Sequence, residues 1–267
     1  MIKYLIYSGL ISIVFFAACR QIKDNPSKNN LNKVAAANII RNNTDIDVNY
    51  SLFNFIDSAA IDRFEKEILK FEISDNDSFP PKNAILFVGS STIRLWDSVG
   101  YDMLPFKAFE RGFGGSTIWE VNYYAPRIIF PYQPAAIVFY AGENDLSWAA
   151  VSSAAALHQF KNFVKTIDYW KLNTPIFFIS IKSSPSRAQF QQKFDEANLY
   201  IQRFAERRQN VHFIDIRNSM LDSTQTLRRD IFLNDKLHMN RKGYMLWREV
   251  IKKILEEELQ SLNLQNN

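Results

Sequence analysis

The chain has 267 residues, of which 47% are apolar, 14% aromatic and 22% charged. This composition excludes collagen-like, low-complexity and wholly disordered proteins, and the length allows folding to bury roughly 75% of the unfolded surface. The net charge is +4 and the basic residues are scattered, so the sequence does not indicate a nucleic-acid-binding protein.

Residues 1–18 have the layout of a signal peptide. Lys3 precedes an apolar run at 5–16, and two alanines follow it directly before Cys19, the only cysteine of the chain. The run is shorter than the about 20 residues that a membrane-spanning helix needs. The end of the segment resembles a bacterial lipobox, which implies cleavage before Cys19 and a lipid on its sulfur. The alternative is an ordinary signal peptide that happens to end at a cysteine.

A tether is predicted for residues 19–54. Eight of the 31 residues from Arg20 to Tyr50 are asparagine, and no apolar period is sustained there. We therefore place the folded domain at residues 55–267.

Helices and strands alternate along this domain. Apolar residues at spacings of three and four predict an amphipathic helix over 58–75. Short apolar runs predict buried strands at 84–88, 135–140, 175–181 and 211–216, and the run at 106–110, which contains two charges, is a fifth candidate. Further helices are predicted at 116–124, 152–170, 187–208 and 241–259. This alternation predicts a three-layer α/β/α sandwich around a mostly parallel five-stranded sheet.

Polar clusters follow the predicted strands, where open α/β sheets bind their ligands. They contain five of the eight glycines, and they are Gly89-Ser90-Ser91, Gly112-Phe113-Gly114-Gly115, Gly142-Glu143-Asn144-Asp145 and the pair Asp235 and His238. Each cluster alone is a common loop, turn, helix cap or surface pair. Together they offer a serine, a histidine that can take its proton and a carboxylate that can orient the histidine, which is the chemistry of acyl transfer.

These four clusters resemble the blocks of the SGNH, or GDSL-like lipase/acylhydrolase, family, over about residues 84–250. The resemblance implies that Ser91 is the nucleophile and that Asp235 and His238 complete a catalytic triad. It also implies an oxyanion hole formed by Ser91, Gly115 and Asn144. Ser90 stands where the family usually has an aspartate.

The resemblance implies a serine ester hydrolase without cofactor or metal. The three histidines and one cysteine also lack the spacing of a zinc site. We expect removal of short acyl groups, acetyl above all, from carbohydrate or related esters. A lipid or lysophospholipid acylhydrolase and a non-catalytic envelope binding protein are the alternatives. With a lipid on Cys19, the protein is expected in the cell envelope, on the periplasmic face or the outer membrane; the sequence assigns no oligomeric state.

Three tryptophans lie near the polar clusters, and each has two interpretations. Trp96, Trp119 and Trp148 could line an acyl or sugar pocket, or they could pack helices on the sheet. Of the other histidines, His158 lies in a predicted helix and His212 in a predicted strand, so structural roles are expected for both.

Overall fold

The computed structural model describes residues 62–148 and 150–265. The signal peptide, Cys19, the tether and the domain boundary at residue 55 lie outside the described residues and stay predictions.

The strands form one five-stranded sheet in the order β2-β1-β3-β4-β5, and every neighbouring pair is parallel. The strands are β1 (Ile85–Gly89), β2 (Ala108–Gly112), β3 (Ala136–Tyr140), β4 (Ile176–Ile179) and β5 (Val211–Ile214). The candidate strand at 106–110 is confirmed with its bounds two residues later in the chain, as β2, and it lies at one edge of the sheet.

Eight α-helices connect and cover the strands within the described part of the chain. They are α1 (Glu65–Asp77), α2 (Ser91–Arg94), α3 (Val99–Asp102), α4 (Ile118–Ile128), α5 (Glu143–Leu146), α6 (Ser153–Tyr169), α7 (Gln191–Ala205) and α8 (Arg241–Gln265). Short 3₁₀ helices lie at Asp62–Phe64, Phe130–Tyr132, Pro185–Phe190 and Asn218–Met220. None of these helices is long and apolar enough to cross a membrane.

The sheet separates two hydrophobic cores because successive side chains of a strand point to opposite faces. In β1, Leu86 and Val88 pack with α1, α4, α6 and α7, whereas Ile85 and Phe87 pack with α2, α3 and α8. Both faces of the sheet are thus covered by helices, and the predicted three-layer α/β/α fold is confirmed.

Trp96 packs inside the second core and cannot line a pocket. It is fully buried, its Nε1 donates a hydrogen bond to Asp102 Oδ2 at 2.7 Å, and its ring lies 5.2 Å from that of Tyr244. Of the other two tryptophans, Trp119 stacks on Tyr123 at 5.4 Å along α4, and Trp148 is 69% exposed. The packing interpretation therefore holds for Trp96, and the pocket interpretation is wrong for it.

The fourth strand ends earlier than its apolar run predicts. The predicted strand covers 175–181, but β4 ends at Ile179. Beyond it, the backbone N–H and C=O of Ile181 both bond the Asn198 side chain of α7, at 2.7 and 2.9 Å. The Asn198 amide thus replaces the backbone groups of a neighbouring strand as the hydrogen-bond partner of Ile181. The strand therefore ends although the sequence stays apolar.

Candidate active site

The polar clusters that follow β1, β2 and β3 lie side by side because these three strands end at the same level of the sheet. In the register of the sheet, Gly89 at the end of β1 lies opposite Gly112 of β2 on one side and Tyr140 of β3 on the other. The residues that follow these three strands are therefore neighbours at the carboxyl edge of the sheet, where α/β proteins bind their ligands.

Gly89 allows the chain to turn sharply into α2. Its φ is +146°, and a β-carbon at this position would lie 1.9 Å from the carbonyl oxygen of Tyr140, so no other residue fits. The next residue, Ser90, is buried and donates its backbone N–H to the same carbonyl at 2.9 Å. Ser91 then begins α2 and is half-buried at the surface of the sheet edge.

Ser91, His238 and Asp235 are joined by two hydrogen bonds. Ser91 Oγ lies 2.9 Å from His238 Nε2, and His238 Nδ1 lies 2.6 Å from Asp235 Oδ2. Because a carboxylate only accepts, Nδ1 carries the proton and Nε2 is left to accept from the serine hydroxyl. The structure thus brings together the three residues that the sequence assigns to a triad, across 147 positions of chain.

A tight turn holds the carboxylate against the imidazole. Asp235 Oδ1 accepts from the backbone N–H groups of Leu237 and His238 at 2.9 and 3.0 Å. Partial burial acts to raise the pKa of Asp235, but the hydrogen bonds from the His238 ring and from the two N–H groups outweigh it and lower this pKa to about 2. Asp235 is therefore ionised at neutral pH and orients the ring.

Helix α8 connects the turn that carries Asp235 and His238 to helix α2, which begins with Ser91. It begins three residues after His238, and Tyr244 on its first turn donates its hydroxyl proton to the carbonyl of Thr92 at 2.9 Å. The same helix starts with Arg241, whose guanidinium bonds the buried carboxylate of Asp102 beyond α2. Ser91 and His238 are thus held by the packing of one helix on another.

The loop that carries Gly115 is fixed at both ends. At its carbonyl, Gly115 accepts a hydrogen bond from Arg63 at 3.1 Å, and Arg63 also pairs with Glu120 of α4 at 2.7 Å. A capping box between Thr117 and Glu120 begins α4 directly after this loop. The carboxylate of Asp145 accepts from the N–H of Ile118 at 3.1 Å, which joins α4 to the cluster after β3.

Asn144 lies beside the Gly115 loop. Its Nδ2 donates to the carbonyl of Ser116 at 2.9 Å, which places the amide next to the residue that follows Gly115. An amide NH₂ has two protons, so one N–H of Asn144 remains for another acceptor.

Arg187 orients that amide, and the sequence analysis missed it. The guanidinium donates to Asn144 Oδ1 at 3.0 Å and to the carbonyl of Glu143 at 2.7 Å, and it also bonds Ser147. With the Asn144 oxygen turned toward Arg187, the nitrogen turns toward the Gly115 loop. Arg187 lies in the 3₁₀ segment after β4, and no motif in the sequence pairs it with Asn144.

A buried ion pair beneath Asn144 was also missed. Lys182 Nζ donates to Glu143 Oε2 at 2.6 Å, and the lysine side chain is fully buried. The hydroxyl groups of Tyr140 and Ser184 donate to the same carboxylate at 2.9 and 3.3 Å. The position of Lys182 at the end of an apolar run was the signal, because a lysine is almost never buried unless it is paired.

The two remaining histidines contact other residues. His158 lies on α6 near Asn162, and His212 lies on β5, stacked on Phe177 and 3.2 Å from Glu258. Within residues 62–148 and 150–265, no group of three or more His, Cys, Asp or Glu could hold a metal ion.

A parallel sheet covered on both faces, with Ser91, His238 and Asp235 joined at its carboxyl edge, is the arrangement that the sequence motifs predict. The sequence model of the GDSL-like lipase/acylhydrolase family matches residues 94–246, which is more than half of the chain. The chain belongs to this family, as its motifs predict, and membership implies ester hydrolase activity. The match begins after Ser91, so the role of Ser91 depends on its geometry.

Solved structures share the fold at low sequence identity. A Streptococcus pneumonia protein provisionally assigned as a platelet activating factor is 22% identical with a TM-score of 0.62, over 72% of this chain and 92% of that one. A GDSL-like lipase from Bacteroides thetaiotaomicron is 18% identical with a TM-score of 0.60, over 71% and 97%. A family 3 carbohydrate esterase from Talaromyces cellulolyticus is 12% identical with a TM-score of 0.53, over 67% and 98%. No curated protein matches the sequence.

Proposed function

We propose that the chain is a serine esterase in which Ser91 is the nucleophile, His238 the general base and Asp235 the group that orients it. The observation that carries this proposal is the pair of hydrogen bonds, 2.9 and 2.6 Å long, that joins Ser91 to His238 and His238 to Asp235. A serine hydroxyl attacks an ester only when a base takes its proton, and the contact between Ser91 Oγ and His238 Nε2 supports that role for His238.

The first half of the reaction acylates the enzyme. Ser91 Oγ attacks the ester carbonyl carbon, and its proton passes to His238 Nε2. The carbonyl oxygen becomes an oxyanion, which accepts hydrogen bonds from the backbone N–H groups of Ser91 and Gly115 and from the second N–H of Asn144. His238 then gives its proton to the alcohol oxygen, the bond between carbon and alcohol oxygen breaks, and the acyl group stays on Ser91.

The second half releases the acid. A water molecule attacks the acyl carbon while His238 Nε2 takes one of its protons, and the same three donors bind the new oxyanion. The bond to Ser91 Oγ then breaks, and the proton returns from His238 to the serine. Asp235, ionised throughout because its pKa is lowered to about 2, stabilises the imidazolium in both halves.

We propose short acyl groups, acetyl above all, as the acyl part, and carbohydrate or related alcohols as the leaving group. The short connection from β3 to α6 supports this: its described residues, 141–148 and 150–152, contain only the single-turn helix α5. A long acyl chain would need an apolar trough, since each methylene left in water forgoes about 0.8 kcal/mol. Exposed Trp148, next to α5, offers a flat face for a sugar ring.

A panel of 4-nitrophenyl esters tests the acyl preference. We expect kcat/KM to fall steadily from two-carbon to eight-carbon acyl groups, because the methylenes beyond the first find no apolar surface. A rise with chain length, or faster release of fatty acid from phospholipid micelles than of acetate from acetylated sugars, would favour the lipid acylhydrolase. Folded protein that hydrolyses no ester in the panel would favour the non-catalytic binding protein.

We further propose that the mature protein begins at Cys19 and is anchored in the cell envelope by lipid on its sulfur. The apolar run at 5–16, too short to span a bilayer, and the two alanines before the cysteine support this.

Cys19→Ala is expected to move the protein out of the membrane fraction or to leave its precursor uncleaved. The measurement is fractionation of cells grown with a clickable fatty acid, followed by blotting and in-gel fluorescence. The matched control is Ser8→Ala, which changes the predicted signal peptide without touching the acceptor sulfur. Wild-type protein that is unlabelled and remains in the supernatant would contradict the anchor.

A further inference from the structure

Arg94 lies on the same short helix as the proposed nucleophile. It is the last residue of α2, three positions after Ser91, and residues three apart lie on the same side of a helix. Arg94 is exposed, and within the part of the chain that the structure describes its guanidinium makes no hydrogen bond or ion pair.

The Arg94 side chain runs along the loop that leads to Gly115. A β-carbon at Gly112 would lie 2.3 Å from the backbone nitrogen of Arg94, and a β-carbon at Gly114 would lie 2.9 Å from its Nε. The backbone of Arg94 thus covers the start of the loop, and the guanidinium covers Gly114, the residue before the proposed oxyanion donor. Glycine at both positions makes this close approach possible.

The other arginines around this loop already have partners. Arg63 pairs with Glu120, and Arg187 bonds Asn144. The carboxyl group nearest to Arg94 along β2 is that of Glu110, whose Oε2 accepts the Gly112 N–H at 2.5 Å. Burial raises the pKa of Glu110 to about 7, against the lowering effects of the Gly112 N–H, Arg111 and Arg94. Glu110 makes its hydrogen bond with the Gly112 backbone, and it forms no hydrogen bond or ion pair with Arg94.

We propose that Arg94 is an anion-binding subsite for the substrate, and that it receives a carboxylate or phosphate carried by the alcohol part of the ester. A guanidinium presents parallel N–H groups that match two oxygens of such an anion. The proposal rests on the function proposed above, because a short acyl group has no room for the charge and the anion must then lie on the alcohol. It narrows the substrate to acylated acidic sugars or acylated polyol phosphates.

Four acetyl esters in two matched pairs test the subsite. The first pair is an acetylated methyl glucuronoside and the corresponding methyl glucoside, and the second is acetylated glycerol phosphate and acetylated glycerol. We expect wild-type kcat/KM to be about tenfold to hundredfold higher for the anionic member of at least one pair, which is the range of a charge-assisted hydrogen bond. The pair that shows the preference identifies carboxylate or phosphate as the anion.

Arg94→Gln is expected to bring the ratio of kcat/KM for the anionic ester to kcat/KM for the neutral ester close to one. Arg94→Lys keeps the charge but loses the parallel N–H groups of the guanidinium, so we expect an intermediate ratio. The matched control is Lys253→Gln, which removes one positive charge at a lysine 75% exposed on α8 and should keep the wild-type ratio. A wild-type ratio near one in both pairs, or equal losses on both members of a pair in Arg94→Gln, would overturn the subsite.

Binding separates the failure of the subsite from the failure of the proposed function. If no ester is hydrolysed, the proposed function is wrong, and calorimetric titration of wild-type protein with the anionic esters then decides on the subsite. Binding that Arg94→Gln weakens about tenfold or more supports it. Absence of binding, or equal binding by the wild type and Arg94→Gln, refutes it.

Discussion

Ser91→Ala is expected to lower kcat by about 10⁴-fold or more while the protein stays folded. Without the Ser91 hydroxyl no acyl-enzyme can form, and the remaining donors and binding contacts sustain only the residual rate seen when a triad nucleophile is removed. The measurement is steady-state hydrolysis of 4-nitrophenyl acetate, with circular dichroism to show that the fold is unchanged. Equal activity in the variant and the wild type would contradict the role of Ser91.

The neighbouring serine provides the matched control. Ser90 is also at the end of β1, and its contact with Tyr140 is made by the backbone, so an alanine keeps it. We expect Ser90→Ala to retain a substantial fraction of the wild-type activity. Mass spectrometry after treatment with an organophosphonate should find the adduct on Ser91, and an adduct on Ser90 would show that the family motif has been aligned one residue off.

Asn144→Ala is expected to lower kcat by about 100-fold with little change in KM. An oxyanion donor acts mainly when charge has developed on the carbonyl oxygen, so its loss appears in the transition state and not in substrate binding. Initial rates over a range of acetyl ester concentrations separate the two constants. A rise in KM alone would make Asn144 a substrate contact instead of an oxyanion donor.

A double-mutant cycle with Arg187 tests how Asn144 is positioned. Arg187→Ala is expected to lower kcat by about tenfold in the wild-type background, because the Asn144 amide then turns more freely. In the Asn144→Ala background the same change should cost almost nothing further, since the group on which Arg187 acts is gone. Equal losses in both backgrounds would show that Arg187 acts by another route, through Glu143 or Ser147.

Several features of the fold could be predicted from local sequence. The runs around Phe87, Val138 and Phe177 are continuous in apolar residues because those strands are buried on both faces, and this pattern alone predicts a covered parallel sheet. Helix α4 begins where Thr117 and Glu120 form a capping box, which is a short-range signal. Element ends were less predictable: β4 stops at Ile179 because Asn198, on another helix, binds the next backbone groups.

In the candidate site, too, some features could be predicted from the sequence and others only from the tertiary structure. The sequence by itself determined which residues of the four clusters are candidates for the chemistry, because a serine, a histidine and an aspartate after strands in the family order are recognisable by type and spacing. Only the tertiary structure decided what holds and surrounds them: Arg187 on the Asn144 amide, Lys182 buried against Glu143, and Arg94 over the glycine loop. These contacts join segments from different strands, and no local period or spacing encodes which distant side chain a folded edge brings near.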